Sequence, residues 1–325
     1  MPEFKYVTYE TFDEGMIARI MLNRPESRNA QHRGLIVDLH NAFITAEEDD
    51  DVRVVILGGV GTVFSSGHDL GSEEMLAERA PGPDRNPTFG INGGTRKGAE
   101  QMMLQEWHYF FENTRRWRDL RKITIAEVKG PVYAAGLMFM FACDLIVAAD
   151  NSTFADVVGT RLGMCGVEYF AHPWEFGPRK TKELMLTGDS IDAEEAYRLG
   201  LVSKIFPIDQ LADRTDEFAR RIAAVPTVTA LLVKESVNQT VDIMGFYSAL
   251  KACFTIHQLN HAHWAEIHDK GDLGWYTAIS SSGYAAGLPE DGVPEWRHAP
   301  PVVPADKYQA RANGSEASKS TTVGR

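Results

Sequence analysis

The chain has little cysteine, and its cysteines follow no pattern typical of a structural role. Its 325 residues include only Cys143, Cys165 and Cys253, and no two of them form a CxxC pair. An odd number without that spacing predicts neither a disulfide framework nor a zinc site. We therefore expect a soluble protein of the reducing cytosol, with a cytoplasmic localisation.

Basic clusters and long apolar runs are also missing. The formal net charge is −12, and no stretch gathers Lys and Arg into a patch or stripe. Neutralising phosphates requires such a patch, so we expect no nucleic-acid partner. No run of about 18 apolar residues occurs, and MPEFKYVTYE at the start has no basic segment followed by an apolar one. We expect neither a signal peptide nor a membrane segment.

Motifs for cofactors are absent as well. Without a GxGxxG or a P-loop, we expect no nicotinamide cofactor and no nucleotide hydrolysis. His257 and His261, in HQLNHAHW, have the i, i+4 spacing of two metal ligands on a helix. No third ligand stands at a convincing spacing, and histidines on a packing face are the commoner explanation. The sequence therefore predicts no metal and no cofactor.

The composition is that of a full-sized globular protein. Hydrophobic residues make up 44% of the chain and charged residues 24%, which allows one large domain or two modest ones. The first sixty residues alternate apolar and polar around the turn DEG, then show a helical apolar period, then the run VRVVILGG. This order predicts a hairpin, an amphipathic helix and a strand buried on both faces, with a right-handed crossover.

The order strand, helix, strand then recurs. The sequence predicts a helix in QMMLQEWHYFFENTRRWRDLRK, a buried strand in ITIAEVKGPV, and a helix with a further strand in YAAGLMFMFACDLIVAAD. Residues 79–98 are rich in proline and glycine, which predicts a mobile connection with a possible role as a lid. From about residue 288 the composition shifts to Pro, Ser and Gly, as is typical of a tail.

Four stretches resemble the crotonase, or enoyl-CoA hydratase/isomerase, superfamily in order and spacing. They are NRPESRNA at 23–30, FSSGHDL at 64–70, KGPVYAAGLMFMFACDLIVAAD at 129–150 and LTGDSIDAEEAYRLGLVSKIFP at 186–207. The last stretch is the most specific of the four. Such a signature identifies a scaffold, and the chemistry must still be argued from the site.

The resemblance covers roughly residues 5–265 and implies a fold. That fold is an α/β (ClpP/crotonase-like) ββα spiral with a C-terminal helical region. We expect the spiral core over residues 1–208, a helical trimerisation region over 209–287, and an extended tail over 288–325.

The resemblance also implies an activity. Members of the superfamily bind acyl-CoA thioesters and stabilise an enolate or related oxyanion on the thioester oxygen with two backbone N–H groups. The matching residues are His68, in the loop after VRVVILGG, and Ala135, at the start of a predicted helix. Small neighbours and a helix N-terminus suit such donors, although SSG and AAG alone would be read as packing corners. Arg28 matches a family position near the adenosine phosphate of CoA, and it equally fits a plain surface arginine.

Family hydratases activate a water with two glutamates, and both are missing here. The first position, six residues before Asp144, is Met138, and the second falls on Val158 or Gly159 because FADVVGTRLG is one residue longer than the family pattern. None of these side chains can take a proton. We therefore expect an acyl-CoA lyase or hydrolase that decarboxylates its substrate or cleaves a carbon–carbon bond. The alternative is a catalytically silent acyl-CoA binding protein on the same scaffold.

Other titratable residues are candidates for the chemistry. Glu168, His172 and Glu175 follow at i, i+4 and i+7, so they share a face if the segment is helical, which Pro173 makes uncertain. In relatives that cleave carbon–carbon bonds or displace halide, an acid follows the glycine that matches Gly163, and Glu168 is its nearest equivalent. The other interpretation of Glu168 is a solvated or ion-paired carboxylate at a helix start.

The loop histidine is a further candidate. Methylmalonyl-CoA decarboxylases resemble this chain in having G-H-D at the oxyanion loop, and the imidazole of His68 has the chemistry to polarise a carboxylate or to act as a base. Its other interpretation is a side chain that fills space. Asp69 is expected to hold the loop by accepting backbone N–H bonds. Asp156 is a weaker candidate acid, because its segment is out of register with the family.

The resemblance also predicts an oligomer. By analogy, the helices predicted in DQLADRTDEFARRIAAV and PTVTALLVKESVNQTV pack on the core or on a neighbouring subunit, so we expect a homotrimer or a dimer of trimers. Light scattering at micromolar concentration should give a multiple of three chains. A solution mass of 36.1 kDa, that of one chain, would contradict this prediction.

Overall fold

A computed structural model describes residues 3–79 and 98–268 of the chain. Most of the predicted connection at 79–98 lies outside the described residues. The end of the predicted helical region and the whole predicted tail, 288–325, also lie outside them. The domain limits at 208, 209 and 287 therefore stay predictions.

The described residues form nine strands and twelve α-helices. The strands are β1 (Val7–Phe12), β2 (Ile17–Leu22), β3 (Val54–Gly59), β4 (Ile123–Val128), β5 (Pro131–Tyr133), β6 (Leu145–Ala149), β7 (Thr153–Ala155), β8 (Ile191–Asp192) and β9 (Lys204–Phe206). The helices are α1 (Arg33–Glu48), α2 (Glu73–Arg79), α3 (Gly98–Gln105), α4 (Asn113–Arg118), α5 (Gly136–Phe141), α6 (Val158–Leu162), α7 (His172–Glu175), α8 (Pro178–Thr187), α9 (Ala193–Leu199), α10 (Leu211–Ala223), α11 (Thr227–Ile243) and α12 (Phe246–His268). A π-helical segment, Glu106–Glu112, joins α3 to α4, and short 3-10 turns lie at Pro25–Ser27 and Ile208–Gln210.

Two sheets organise these elements. The larger has the order β1-β2-β3-β4-β6-β9, in which β1 is antiparallel to β2 and the other neighbours are parallel. The smaller has the order β5-β7-β8. The predicted hairpin, helix and strand are confirmed, since β2 and β3 pair in parallel from Ile17 with Val54 to Leu22 with Gly59, with α1 between them in the chain.

The larger sheet separates two hydrophobic cores. Val55 and Leu57 lie in the larger core, whereas Val54 and Ile56 lie in the smaller one, which α10 covers. This alternation follows from side chains that point to opposite faces of a strand. All six residues of β3 are buried, as the β-branched run predicted.

The C-terminal helices leave apolar side chains uncovered. The helices predicted over residues 209–225 and 226–241 are present as α10 and α11. Large apolar side chains exposed on α11, the short link after it and α12 are Val228, Leu232, Val233, Val237, Ile243, Met244, Ile256 and Leu259. A neighbouring subunit would bury such a surface, as the predicted trimer requires. Among the described residues, no helix is both long and apolar enough to span a membrane.

Two glycine substitutions test how closely the residue before β5 approaches the loop after β3. Gly130 has φ +59°, and a Cβ there would collide with the carbonyl oxygen of Thr62. Gly200 has φ +86°, but a Cβ there meets nothing within 4 Å. Gly200→Ala should therefore lower the free energy of unfolding by about 1–2 kcal/mol, the cost of the left-handed backbone alone. Gly130→Ala should lower it clearly more, because the added Cβ also collides. Urea unfolding of both variants measures the difference, and equal losses would contradict this close approach.

Candidate active site

The loop after β3 lies between two other parts of the chain. Gln31 donates its backbone N–H to the Gly67 carbonyl at 2.8 Å, and Asp69 donates to the Gln31 carbonyl at 2.8 Å. On the other side, Tyr133 donates its N–H to the Ser65 carbonyl at 3.0 Å. The loop is therefore held as a short extra strand.

Two backbone N–H groups meet at this loop. Gly67 has φ +95°, and a Cβ on it would lie 3.1 Å from the Ala135 nitrogen, so the loop runs directly against the start of α5. Within the described residues, neither the N–H of His68 nor that of Ala135 donates a hydrogen bond. Donors left unpaired at such a junction are suited to stabilise an oxyanion. The two predicted donors are therefore close together.

Gln31 links both sides of this junction. Its backbone pairs with the residues on either side of His68, and its side-chain Nε2 donates to the Ala135 carbonyl at 2.6 Å. The side chain is buried, at 1% exposure. Sequence reasoning missed Gln31, because a glutamine after ESRNA carries no pattern and its role depends on a contact with a distant residue.

Asp69 holds the loop as predicted. Its Oδ1 accepts the N–H groups of Gly71 and Ser72 at 3.2 and 2.9 Å, and its Oδ2 accepts Arg24 Nη1 at 2.9 Å. Burial raises the pKa of Asp69, but these donors lower it by more, so the pKa lies below its usual value. Asp69 is thus a structural carboxylate.

His68 and Glu168, two of the predicted catalytic residues, are in contact. His68 Nε2 lies 2.8 Å from Glu168 Oε2, and the Phe110 ring packs on the His68 ring with centroids 4.3 Å apart. Burial raises the pKa of Glu168, but the neighbouring imidazoles of His68 and His257 lower it by more. The pKa of Glu168 is below its usual value, so this buried carboxylate is ionised at neutral pH.

A pocket opens beside this pair. Its lining residues are His68, Leu70, Glu106, Val158, Leu162, Met164, Gly166, Val167, Glu168, His257 and His261. Val158, at the second family position, therefore shares the pocket with Glu168, while Met138 is buried within α5. Glu168 thus supplies a carboxylate in the pocket where the second family glutamate is missing.

The expectation that no third ligand accompanies His257 and His261 is wrong. Their Nε2 atoms lie 2.9 Å apart, and Glu106 approaches them with Oε2 3.5 Å from His257 Nε2 and Oε1 3.6 Å from His261 Nε2. Glu106 stands far earlier in the chain, at the start of the π-helical segment. Local spacing in the sequence could not show this contact.

His172 does not join Glu168. The helix α7 begins at His172 and has Pro173 in its first turn, so Glu168 precedes the helix and the condition for a face shared by Glu168, His172 and Glu175 is not met. His172 Nε2 instead lies 3.0 Å from Asp156 Oδ2, and the ring packs among phenylalanines. Neither His172 nor Asp156 lines the pocket described above.

Arg28 lies at the surface. It has φ +55°, its side chain is exposed, and its carbonyl accepts the N–H of Ser66 at 3.1 Å. The backbone of Arg28 therefore supports the loop that carries His68. Its contact with CoA stays a prediction.

Comparison with known proteins decides the family. The family model for enoyl-CoA hydratase/isomerase matches residues 13–91 and 90–266. The chain belongs to the enoyl-CoA hydratase/isomerase family. The crotonase fold and the acyl-CoA family predicted from the sequence are confirmed, and membership of this family makes the protein an enzyme of acyl-CoA thioesters.

Three relatives of this family member show how similar it is to known proteins. "Putative enoyl-CoA hydratase EchA13" of Mycobacterium tuberculosis is 61% identical over 307 residues, 94% of this chain and 93% of that protein. "4-chlorobenzoyl coenzyme A dehalogenase-2" of Arthrobacter sp is 28% identical over 257 residues, 77% and 85% of the two chains. The crystal structure of a "probable enoyl-CoA hydratase" of Mycobacterium smegmatis has TM-score 0.70 and 38% identity, and covers 81% of this chain and 97% of that one.

Glu175, the third member of the predicted set, should make the stability depend on pH. It ends α7 in a groove that also contains Arg118 and Trp174. Burial raises the pKa of Glu175 from 4.5 to about 7, although Arg118 lowers it. The folded protein then holds this proton more tightly than the unfolded chain, so the free energy of unfolding falls as pH rises from about 4.5 to about 7.

Glu175→Gln removes this dependence. We expect the variant to be more stable than the wild type by about 1–3 kcal/mol near pH 8, and the gain to vanish near pH 4. Urea unfolding at both pH values checks the prediction. A difference in the free energy of unfolding between the variant and the wild type that is equal at the two pH values would contradict the raised pKa of Glu175.

Proposed function

We propose that this family member hydrolyses a carbon–carbon bond of a β-ketoacyl-CoA thioester. In this proposal, Glu168 is the general base, and the N–H groups of His68 and Ala135 stabilise the enolate. One observation carries it: the carboxylate of Glu168 lies 2.8 Å from His68 in the pocket that contains Val158. A carboxylate therefore stands beside His68, which carries one of the two proposed oxyanion donors, and beside a residue that matches one of the missing hydratase glutamates.

The reaction needs a base and an enolate stabiliser. Glu168 takes a proton from a water molecule, whose oxygen adds to the β-carbonyl carbon. The bond between the α- and β-carbons then breaks, and its electron pair forms an enolate on the α-carbon and the thioester oxygen. The N–H groups of His68 and Ala135 stabilise that oxygen, and such donors are worth about 3–4 kcal/mol each. The proton on Glu168 passes to the α-carbon, which gives a shortened thioester and a carboxylic acid.

Ordinary hydration fits this site poorly. The addition of water to an enoyl thioester uses two acid–base groups, and the residues predicted for the two family positions, Met138 and Val158 or Gly159, cannot take a proton. Each group of this kind is commonly worth about 10²–10⁴-fold in rate. The name of the Arthrobacter relative, a dehalogenase, supports a family in which hydration is one reaction among several.

Decarboxylation is the second candidate, and charge disfavours it. A malonyl-type substrate would bring its own carboxylate into a pocket that already holds Glu106 and Glu168. The imidazole of His68 is engaged by Glu168, so it is not available to polarise a substrate carboxylate. A silent binding protein would in turn not need Glu168 in this pocket, because burying a carboxylate costs free energy that the neighbouring imidazoles must offset.

The experiment compares a short β-ketoacyl-CoA with crotonyl-CoA and methylmalonyl-CoA. The short β-ketoacyl-CoA should be converted to a shortened thioester, which chromatography detects. Crotonyl-CoA should lose its enoyl absorbance several orders of magnitude more slowly than with a two-glutamate hydratase. Glu168→Gln should lower the first rate by about 10²–10⁴-fold with thioester binding retained. Glu175→Gln, the same change outside this pocket, is the matched control.

Other results would redirect the assignment. Robust hydration of crotonyl-CoA would contradict the proposal. Turnover of methylmalonyl-CoA that survives Glu168→Gln would favour decarboxylation. Tight binding of thioesters without turnover of any of them would favour the silent binding protein. Arg28→Ala should raise the KM for every thioester if Arg28 contacts the adenosine phosphate.

A further inference from the structure

We propose that Glu106, His257 and His261 form a binding site for a divalent transition-metal ion of the zinc type. The hydrolysis above assigns these three side chains no step, although the His257 imidazole is one of the groups that lower the pKa of Glu168, and metal binding is measured separately from that reaction. Two histidines and a carboxylate are a ligand set that zinc adopts in proteins, with a fourth position for water or substrate.

The distances between the donor atoms suit such an ion. The Nε2 atoms of His257 and His261 lie 2.9 Å apart, and Glu106 approaches them with different oxygens, Oε2 at 3.5 Å from His257 Nε2 and Oε1 at 3.6 Å from His261 Nε2. In a tetrahedral site with bonds of about 2.0–2.1 Å, donor atoms lie about 3.3 Å apart. One donor atom from each of the three residues lies within 4.8 Å of the others, so seating an ion requires a rotation of the Glu106 carboxylate that brings one oxygen toward both imidazoles.

The outer contacts orient the donors toward this point. His257 Nδ1 lies 2.9 Å from the Gly166 carbonyl, which only accepts, so Nδ1 carries the hydrogen. In the neutral ring, the lone pair of His257 is then on Nε2, toward Glu106 and His261. Gln258 Nε2 donates to Glu106 Oε2 at 2.6 Å. Backbone carbonyls and amides that fix ligands in this way are typical of metal sites.

One oxygen of Glu106 is left without a hydrogen bond. The residue is 2% exposed, and its Oε1 has no hydrogen-bond partner among the described residues. A buried carboxylate oxygen in this state is costly unless it meets a cation. Oε1 lies 3.6 Å from His261 Nε2, so one ion would contact both.

The ligands stand on two helical elements. His257 and His261 are one turn apart on α12, and Glu106 begins the π-helical segment. Single π-helical turns are rare and often found at functional sites. All three ligands line the pocket that contains His68 and Glu168, so the ion would lie beside the proposed acyl site.

The competing occupant is a proton. Without an ion, a proton shared between His257 and Glu106 would balance the buried charge, and the neighbouring carboxylates Glu106 and Glu168 raise the pKa of His257 although burial lowers it. The metal-bound state and the proton-sharing state can be distinguished, because only the first contains one metal ion per chain.

The test measures metal on the full chain. After treatment with a chelator, the wild type should take up one Zn²⁺ or Co²⁺ per chain, measured by calorimetry and elemental analysis, and Co²⁺ should show the visible absorption of a four-coordinate ion. His261→Asn should weaken binding at least tenfold, since even outer partners of metal ligands are worth about 10–100-fold. His263→Asn, on the exposed face two residues away, should bind like the wild type.

A second variant guards against misfolding. Circular dichroism and gel filtration check that Glu106→Gln and His261→Asn are folded. Zn²⁺ should raise the thermal midpoint of unfolding of the wild type and of His263→Asn, and leave that of the two ligand variants unchanged. Lack of stoichiometric binding by the wild type, or binding that survives both ligand variants, would overturn the proposal. Hydrolysis of β-ketoacyl-CoA is assayed separately, so its loss is not confused with loss of the metal site.

Discussion

The site depends on one close approach between two stretches of backbone. Gly67 lies against Tyr133 and the start of α5, where a Cβ would stand 2.9 Å from the Tyr133 carbonyl and 3.1 Å from the Ala135 nitrogen. A side chain at residue 67 would push the loop away and separate the two N–H groups. Gln31 maintains the approach, because it pairs with the loop through its backbone and with Ala135 through its amide. The polar contacts of Asp69 hold the loop from its other end.

In the proposed mechanism the backbone supplies the oxyanion donors, so the side chains around them are free to differ between members of the family. The sequence matches the two family glutamates to Met138 and to Val158 or Gly159, none of which can take a proton, and Val158 lines the pocket beside His68. Glu168 then enters the same pocket from the segment before α7. Its charge is tolerated there because imidazoles surround it, and their attraction exceeds the cost of burial.

The parts of the site that lie on local motifs could be predicted from the sequence. The β-branched run of β3, the GHD loop and the small residues before α5 each follow from neighbouring residues, and the family pattern places them together. The contact of His68 with Glu168 could be predicted only in part, since both residues were candidates but the sequence does not show that their side chains meet. The sequence did not predict the roles of Glu106 and Gln31, because these roles arise from contacts between residues far apart in the chain. Glu168 and His172 share no helical face, because α7 begins only at His172, with Pro173 in its first turn.

A structure with a β-ketoacyl-CoA analogue bound tests the central claim most directly, namely that Glu168 acts on a thioester held by the backbone. The account predicts the thioester oxygen about 3 Å from the nitrogens of both His68 and Ala135, and the Glu168 carboxylate one water molecule away from the β-carbon. An acyl group that lies outside this pocket, or a β-carbon that Glu168 cannot reach through a single water, would contradict it.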